Sequence, residues 1–197
     1  MLTLETFEWD NTWIEHAENT ETPRVLVVGD SISCGWRRIA TDEADHKILF
    51  DGFGTSKSVD NPWFLLSVLN FAEQQYHREA IIINNGLHGV HLSKKEYSEA
   101  LSDFIKGIVV RFPTTPVFLA TSTPGEPIQK FEEMNKMVRE RNDAMKEIAE
   151  FYGTRLLDFY EIIGDKTGLH IPDGVHLEPI AYKMLAQRAV SAVKSIL

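Results

Sequence analysis

The sequence has 197 residues, of which 43% are hydrophobic, and a formal net charge of −9. This length fits one α/β domain, so we expect a single domain over residues 1–197, with residues 1–23 as an N-terminal extension packed on it. The acidic balance argues against a nucleic-acid partner and against electrostatic binding to an anionic membrane, because both depend on clustered Lys and Arg. The single cysteine excludes an intrachain disulfide.

The N-terminal residues lack the pattern of a secretory signal. Residues 1–8 contain no basic stretch followed by an apolar one. The longest apolar runs, such as residues 24–29, are too short to span a bilayer. We therefore expect a cytoplasmic protein that acts on a small molecule.

Short apolar runs alternate along the chain with longer segments of helical spacing. Near the N-terminus, Trp13–His16 predicts a short helix packed on the outside. Five strands are predicted after it, at Val25–Val28, Ile48–Phe50, Ile81–Ile83, Val117–Ala120 and Arg155–Leu157. These runs do not alternate with polar residues, which is typical of strands buried on both faces of a parallel sheet.

Helices are predicted between these strands. One begins after the first strand and covers residues 32–40, and another opens at Asn61 and Pro62, an N-cap followed by proline, and runs toward His77. The others are Tyr97–Val110, Pro127–Tyr152 and Pro179–Ile196. The alternation predicts a single-domain three-layer α/β/α sandwich with a mainly parallel, flavodoxin-like five-stranded sheet.

The tripeptide Gly29-Asp30-Ser31 lies where the first predicted strand ends and a helix begins. Ligands of open parallel sheets bind beyond the carboxyl ends of the strands. A serine at a helix start has an unpaired backbone N–H and a favourable helix dipole, both of which stabilise an oxyanion. The tripeptide is therefore a candidate nucleophile site, although Asp30 or Ser31 would also serve as a simple helix cap.

A second candidate site is Asp173-Gly174-Val175-His176, just before the last predicted helix. A serine hydroxyl needs a base, and histidine is the usual one near neutral pH. The histidine needs an acceptor on its other ring nitrogen, which Asp173 can supply across a turn. The alternative is a surface turn whose histidine bonds a backbone carbonyl.

Together, these two motifs resemble the blocks of the SGNH hydrolases, also called GDSL-type esterases and lipases. Gly29-Asp30-Ser31-Ile32-Ser33 resembles the first block, with Ile32 where leucine is usual, and Asp173-Gly174-Val175-His176-Leu177 resembles the fifth. The resemblance covers residues 24–197. It implies a catalytic triad of Ser31, Asp173 and His176.

The resemblance also implies an oxyanion hole built from Ser31, Gly54 and His88. Gly54 is the candidate for the glycine of the second block, with Gly52 as the alternative, and either glycine would also simply permit a turn. In the third block the family has Gly-x-Asn-Asp, whereas this chain has Gly86-Leu87-His88-Gly89, as in a subset of the family with Gly-Leu-His. His88 then replaces the asparagine as donor, and a structural role for His88 remains the alternative.

Three further residues near these motifs carry weaker interpretations. Asn85 is another possible donor, although we expect it to serve the turn. His88 and His91 have a spacing that suggests a metal, but no matching cluster accompanies them, so we expect no metal and no cofactor. Cys34, one turn after Ser31, is expected to be a small packing residue.

The expected function is a serine esterase that hydrolyses a small carboxylic ester through an acyl-enzyme on Ser31. An O-acetylated carbohydrate is the first expected substrate, and Trp36, Trp63 and Phe53 are candidates to stack on its sugar ring. The alternatives are a thioesterase or lysophospholipase of the same fold, and a catalytically silent carbohydrate-binding module. A flavodoxin-like nucleotide binder is disfavoured, because Asp30 would repel phosphate.

Overall fold

The computed structural model describes residues 3–197, so residues 1 and 2 of the predicted N-terminal extension lie outside the description. Six strands form one sheet. They are β1 (Asp10–Trp13), β2 (Arg24–Gly29), β3 (Leu49–Thr55), β4 (Ala80–Ile83), β5 (Val117–Ala120) and β6 (Arg155–Leu157). Five of the six overlap the predicted strands, although β3 continues to Thr55, five residues beyond its predicted end at Phe50, and β1 is the additional one.

The strand order across the sheet is β1-β3-β2-β4-β5-β6. The last five strands are parallel, and β1 pairs antiparallel with β3, with Asp10 opposite Thr55. The order of the parallel strands is the one found in flavodoxin-like folds, in which the chain reverses its direction of winding beside the first strand. The predicted fold class is confirmed, with a sixth strand added.

Six helices cover the two faces of the sheet. They are α1 (Ser31–Glu43), α2 (Pro62–Ala72), α3 (Lys94–Arg111), α4 (Glu132–Tyr152), α5 (Phe159–Ile163) and α6 (Pro179–Lys194). Alternate residues of β2 point to opposite faces, so Val25 and Val27 pack with α1 and α6, whereas Leu26 and Val28 pack with α2, α3 and α4. Each face therefore has its own apolar core, as the uniformly apolar strands predicted.

The helix predicted at Trp13–His16 is wrong. Trp13 ends β1, and the chain then turns, with His16 at a positive φ of 43°. The reason lies in non-local contacts, because the open edge of β3 pairs with this segment and the buried Arg24 guanidinium binds the carbonyls of Glu15, His16 and Asn19. The pairing with β3 and the contacts with Arg24 therefore hold this segment as a strand followed by a turn.

Several predicted boundaries were also wrong. α2 ends at Ala72 and does not reach His77, and α4 begins at Glu132 after a 3₁₀ turn at Gln129–Phe131. β6 is an edge strand whose first two residues are exposed, so it is not buried on both faces. No helix within residues 3–197 is long and apolar enough to cross a membrane.

Candidate active site

The candidate site lies at the carboxyl ends of the central strands. β2 leads directly into Asp30 and Ser31, and the neighbouring β4 leads into the loop that carries His88. Because β2 and β4 lie side by side and their helices cover opposite faces, a crevice opens between their ends. The sheet topology therefore brings the first and third motifs together.

Ser31 is the first residue of α1, and Asp30 is its N-cap. The Asp30 carboxylate accepts a hydrogen bond from the Ile32 N–H at 2.9 Å, so the aspartate does cap the helix. Ser31 is itself half-buried, with its hydroxyl free of the capping role. Burial raises the pKa of the Asp30 carboxyl, and the proximity of His88 lowers it by a smaller amount.

Asp173 and His176 lie on one turn, as their spacing predicted. Gly174 has a positive φ of 75°, which glycine adopts without strain, and its N–H donates to the Ile171 carbonyl at 2.9 Å. One carboxylate oxygen of Asp173 accepts from the backbone N–H groups of Val175 and His176, at 2.8 and 2.9 Å. These bonds leave the second carboxylate oxygen for the imidazole.

The structure brings Ser31, His176 and Asp173 into one hydrogen-bonded chain. His176 Nε2 lies 2.8 Å from Ser31 Oγ, and His176 Nδ1 lies 2.7 Å from Asp173 Oδ2. An ionised carboxylate only accepts hydrogen bonds, so the proton of the neutral ring lies on Nδ1 and Nε2 is free to accept from the serine hydroxyl. This arrangement can remove the proton from Ser31 Oγ as the oxygen attacks a carbonyl.

The Asp173 carboxyl is more acidic than an ordinary aspartic acid side chain. Partial burial raises its pKa, but the hydrogen bonds from Val175 and His176 outweigh burial and bring the pKa to about 2. Asp173 therefore remains a carboxylate at any pH near neutrality. A permanent negative charge beside Nδ1 stabilises the imidazolium that forms when His176 accepts a proton.

Gly54 and Gly52 both lie within β3 and not in the loop after it. Gly54 pairs with Gly29 of β2 on one side and Asn11 of β1 on the other. A side chain at Gly54 would overlap Cys34 Sγ, and one at Gly52 would overlap the side chain of Arg37. Both glycines allow α1 to pack closely on the sheet. Gly54 lies opposite Gly29, which is two residues before Ser31.

His88 lies beside the same cavity as Ser31 and His176. Its ring Nδ1 is 2.8 Å from Glu5 Oε1, a carboxylate from the N-terminal segment. The His88 side chain is only 16% exposed, so Glu5 contacts a largely buried ring. The structure thus assigns His88 an acidic partner that the sequence motifs did not indicate.

The backbone of the His88 loop is held from below by Arg141 of α4. The buried guanidinium donates to the carbonyls of Gly86, His88 and Gly89 at 3.0, 2.6 and 2.6 Å. Its Cζ lies 4.5 Å from the ring centroid of Tyr97. One cation therefore satisfies three carbonyls of a loop that would otherwise lack partners in the interior.

Asn85 is fully buried just before this loop. Its side-chain amide donates to the Lys57 carbonyl at 2.9 Å, and the Asn85 backbone carbonyl accepts from the Tyr97 hydroxyl at 2.7 Å. The first bond joins the loop after β4 to the loop after β3, and the second joins it to α3. The Asn85 amide thus bonds a neighbouring loop, whereas it was expected to serve its own turn.

The remaining singled-out residues lie apart from the triad. His91 faces Asp60 at 3.0 Å, and within residues 3–197 no group of three metal-binding side chains is arranged to hold an ion. Cys34 packs against Gly54 and Arg37, and burial raises the pKa of its thiol, which favours the less nucleophilic protonated form.

A cavity of about 700 Å³ opens over Ser31 and His176. Its apolar lining consists of Leu4, Phe7, Trp9, Leu87, Val90, Met134 and Val175. The three aromatic residues expected to stack on a sugar do not line it. Trp36 and Phe53 are core residues, and the exposed Trp63 lies on α2 outside the cavity, since bulky aromatic side chains near strand ends more often complete the core.

Sequence reasoning missed Glu5 and Arg141. Both act on the His88 loop from positions distant in sequence, 83 and 53 residues away from His88. Arg141 left one trace in the sequence, because it is a charged residue close to the apolar stripe of a predicted helix. A buried arginine needs partners, and a loop of free carbonyls is a suitable one.

Several solved structures that share this fold are described as esterases, lipases or acylhydrolases. A carbohydrate acetylesterase from Sinorhizobium meliloti matches with a TM-score of 0.73 at 15% identity, over 89% of this chain and 100% of that chain. A member of the lipolytic G-D-S-L family from Veillonella parvula matches with a TM-score of 0.69 at 19% identity, over 86% and 97% of the two chains.

A lipase/acylhydrolase from Enterococcus faecalis matches with a TM-score of 0.69 at 15% identity, over 88% and 96%. No protein-family model and no curated protein matches the sequence. At these identities the likeness concerns the fold. The chain has the fold of the SGNH, or GDSL-type, hydrolases, as its first and fifth motifs predicted.

Proposed function

We propose that this protein is a serine esterase that hydrolyses a small carboxylic ester through an acyl-enzyme on Ser31. The observation that carries the proposal is the chain of contacts from Ser31 Oγ to His176 Nε2 and from His176 Nδ1 to Asp173 Oδ2, at 2.8 and 2.7 Å. A nucleophile, a base and an orienting carboxylate in that order are what acyl transfer to water requires.

In the proposed mechanism, Ser31 Oγ attacks the ester carbonyl while His176 Nε2 takes its proton. The tetrahedral intermediate collapses, and His176 returns the proton to the departing alcohol. Water then attacks the acyl-enzyme with His176 again as base, and Ser31 is released with the free acid.

The proposed oxyanion donors are the Ser31 N–H, the Gly54 N–H and the His88 side chain. Ser31 starts α1, so its N–H is one of the donors that a helix leaves unpaired. His88 shares a cavity with Ser31, and Gly54 is opposite Gly29 at the end of the neighbouring strand. Donors of this kind are worth about 10²- to 10³-fold each in rate.

The substrate class proposed is a short-chain acyl ester, with an O-acetylated carbohydrate first. The structurally similar acetylesterase from Sinorhizobium meliloti supports this choice. A catalytically silent binding module is disfavoured, because the base is already within hydrogen-bond reach of the serine. A thioester or a lysophospholipid remains the next substrate to assay.

The proposal is tested by hydrolysis of p-nitrophenyl acetate by the wild type and by Ser31→Ala. We expect Ser31→Ala to lose several orders of magnitude in kcat, because triad members act as a unit. Ser33→Ala is the matched control, since the Ser33 hydroxyl is buried on the same helix and bonds no other described residue. Equal rates for wild type and Ser31→Ala would refute Ser31 as the nucleophile.

A covalent probe gives a second, independent measurement. A fluorophosphonate should add to the wild type at one position, and peptide mass spectrometry should locate the adduct on Ser31. Panels of p-nitrophenyl acetate, butyrate and octanoate, and of acetylated sugars, then define the acyl and alcohol groups. Labelling at another serine would contradict the proposed site.

A further inference from the structure

The N-terminal segment, defined here as residues 3–9, forms one wall of the cavity above Ser31. Leu4, Phe7 and Trp9 belong to this wall, and Ser31 and His176 lie in the same cavity. The segment precedes β1 and lies outside the motifs that indicate an esterase. A part of the substrate that extends from the ester group toward this wall would therefore be bound by residues that those motifs do not include.

The wall is held in place by contacts with two loops. Trp9 and Ser56 are joined by two hydrogen bonds, from Trp9 N–H to Ser56 Oγ at 2.9 Å and from Ser56 N–H to the Trp9 carbonyl at 3.2 Å. The Glu5 carboxylate contacts the ring of His88 at 2.8 Å. Because these bonds form within the chain, the segment is positioned above the site before a substrate arrives, which lowers the entropic cost of binding.

Phe7 presents an aromatic ring that the fold itself does not use. Its exposed fraction of 82% is the largest of any large apolar side chain within residues 3–197. Trp9 is instead packed on the sheet, with its ring 3.5 Å from the place that a Cβ atom on Gly54 would occupy. Phe7 is therefore the aromatic residue of the wall whose ring is free to stack on a ligand.

Polar side chains alternate with the apolar ones along the same wall. Thr3, Glu5 and Thr6 also line the cavity. Only one carboxylate oxygen of Glu5 contacts His88, and no described residue bonds the other. An alkyl chain lying along this wall would remove these polar groups from water without replacing their hydrogen bonds. A ligand with hydroxyl groups beside an apolar face would satisfy both kinds of side chain.

The size of the cavity indicates which part of an ester occupies it. Its volume of about 700 Å³ falls in the range of sites for small organic molecules and far exceeds the needs of an acetyl group. If the acyl group is short, the alcohol must fill the remaining space. A pyranose ring has partially positive C–H groups on its faces, which attract the negative face of an aromatic ring, and hydroxyl groups around its edge.

We propose that the N-terminal segment binds the sugar ring of the substrate, with Phe7 stacked on one face of a pyranose and the neighbouring polar side chains facing its hydroxyl groups. The inference rests on the proposed esterase function and adds the place where the alcohol group binds. The segment thereby takes the stacking role that was expected of Trp36, Trp63 and Phe53, none of which lines the cavity. Phe7 then determines specificity for sugar esters.

The kinetic experiment compares two acetates, the monoacetate of methyl β-D-glucopyranoside and ethyl acetate. Phe7→Ala and Phe7→Leu should each lower the ratio of kcat/KM for the sugar ester to kcat/KM for ethyl acetate by about fivefold, mainly through the KM of the sugar ester. Phe7→Trp should retain or raise that ratio, since indole offers a larger face. Phe151→Ala is the matched control, because Phe151 is 79% exposed on α4 and does not line the cavity.

The leucine variant distinguishes a sugar ring from an alkyl chain. Leucine keeps an apolar side chain at this position but has no aromatic face, so it would still bind an alkyl chain. A wild-type ratio in Phe7→Leu would overturn the inference, as would a ratio in Phe7→Ala equal to that of Phe151→Ala. Both phenylalanine rings are exposed, so the unfolding midpoints of these variants should match the wild type.

A binding measurement makes the inference independent of the esterase assay. In the Ser31→Ala protein, saturation-transfer difference NMR with methyl β-D-glucopyranoside and methyl β-D-xylopyranoside should show the strongest transfer to the axial protons on one face of the ring. Adding Phe7→Ala should abolish this transfer, and adding Phe151→Ala should not. No transfer to either sugar, or transfer unchanged by Phe7→Ala, would overturn the inference. Phe7-dependent binding without any Ser31-dependent hydrolysis would refute the proposed function and leave the sugar site standing.

Discussion

The base side of the candidate site, by which we mean Asp173 and the proposed base His176, is built within four residues, whereas the His88 side depends on residues spread over most of the chain. Asp173 and His176 share a turn, and their backbone and side-chain bonds are local. His88 is fixed by Glu5 from the N-terminal segment and by Arg141 from α4. The pair Asp173 and His176 keeps its geometry as long as its turn persists, whereas the position of His88 depends on the packing of the whole domain.

This difference also separates two routes to a proposed catalytic group. The turn supplies both the proposed base and its partner, so a short stretch of sequence is sufficient to encode it. The loop after β4 supplies only a histidine, and other elements supply what orients it. The base side should therefore respond to single local substitutions, and the His88 side to changes far from the reacting atoms.

The largest effect is expected for Asp173→Asn, which breaks the local side. Asparagine can still accept from the Val175 and His176 N–H groups, so the turn persists. Its amide would donate to His176 Nδ1 and thus place the ring proton on Nε2, where the ring can no longer accept from Ser31. We expect kcat to fall by about 10³- to 10⁴-fold, measured on p-nitrophenyl acetate.

Circular dichroism and the unfolding midpoint serve as controls for this variant, and both should be close to wild type. The comparison would be weakened if Asp173→Asn retained more than a tenth of the wild-type rate. The carboxylate would then have a minor part in orienting the base.

An intermediate effect is expected for Arg141→Lys, which breaks the distributed side without touching the cavity. An ammonium cannot reach three carbonyls in the fork geometry of a guanidinium. Buried carbonyls left without a donor should lower the free energy of unfolding by about 2 kcal/mol. We expect kcat to fall by about tenfold as the His88 loop loses its position.

Arg139→Lys is the matched control for Arg141→Lys. Arg139 is exposed on the same helix, so the same substitution there should leave stability and kcat unchanged. Urea denaturation and steady-state kinetics measure the two quantities. An Arg141→Lys protein that is less stable but fully active would show that the loop needs no support from α4 for the reaction.

The smallest effect is expected from the titration of Asp173. Its carboxylate should stay charged between pH 3 and 5, so it should leave kcat/KM unchanged in that range. The Asp173 carboxyl has a pKa of about 2, below its ordinary 3.8, so it keeps its charge down to that range. An inflection caused by Asp173 would be present in the wild type and absent from Asp173→Asn. We therefore expect no such inflection in the kcat/KM profile of the wild type between pH 3 and 5. Such an inflection would mean that the hydrogen bonds of the turn hold Asp173 less firmly.

The parts of the molecule that could be predicted from sequence are those with local causes. The apolar runs around Val25 and Ile81 indicated buried parallel strands, and the positions of Ser31 and His176 followed from the motifs after one strand and before one helix. A strand-end serine and a turn histidine each depend on a few neighbouring residues. Their meeting at 2.8 Å follows from the topology.

The parts that could not be predicted depend on contacts across the fold. Trp13 belongs to a strand because the edge of β3 is open to it, and nothing in its own neighbours requires that pairing. Glu5 is an exposed glutamate among several, and only the path of β1 brings it to His88. The short helix α5 was missed because its five residues are too few for a periodic pattern.

The antiparallel strand β1 has a consequence for local unfolding. It pairs on one side only, and all four of its residues are exposed, so its amide protons should exchange with solvent well before those of the buried β2. Detachment of β1 would carry Glu5 away from His88 while Ser31, His176 and Asp173 stay bonded. The protein would then have a partially open state, below the global unfolding transition, that keeps the contacts among Ser31, His176 and Asp173 but loses the contact between Glu5 and His88.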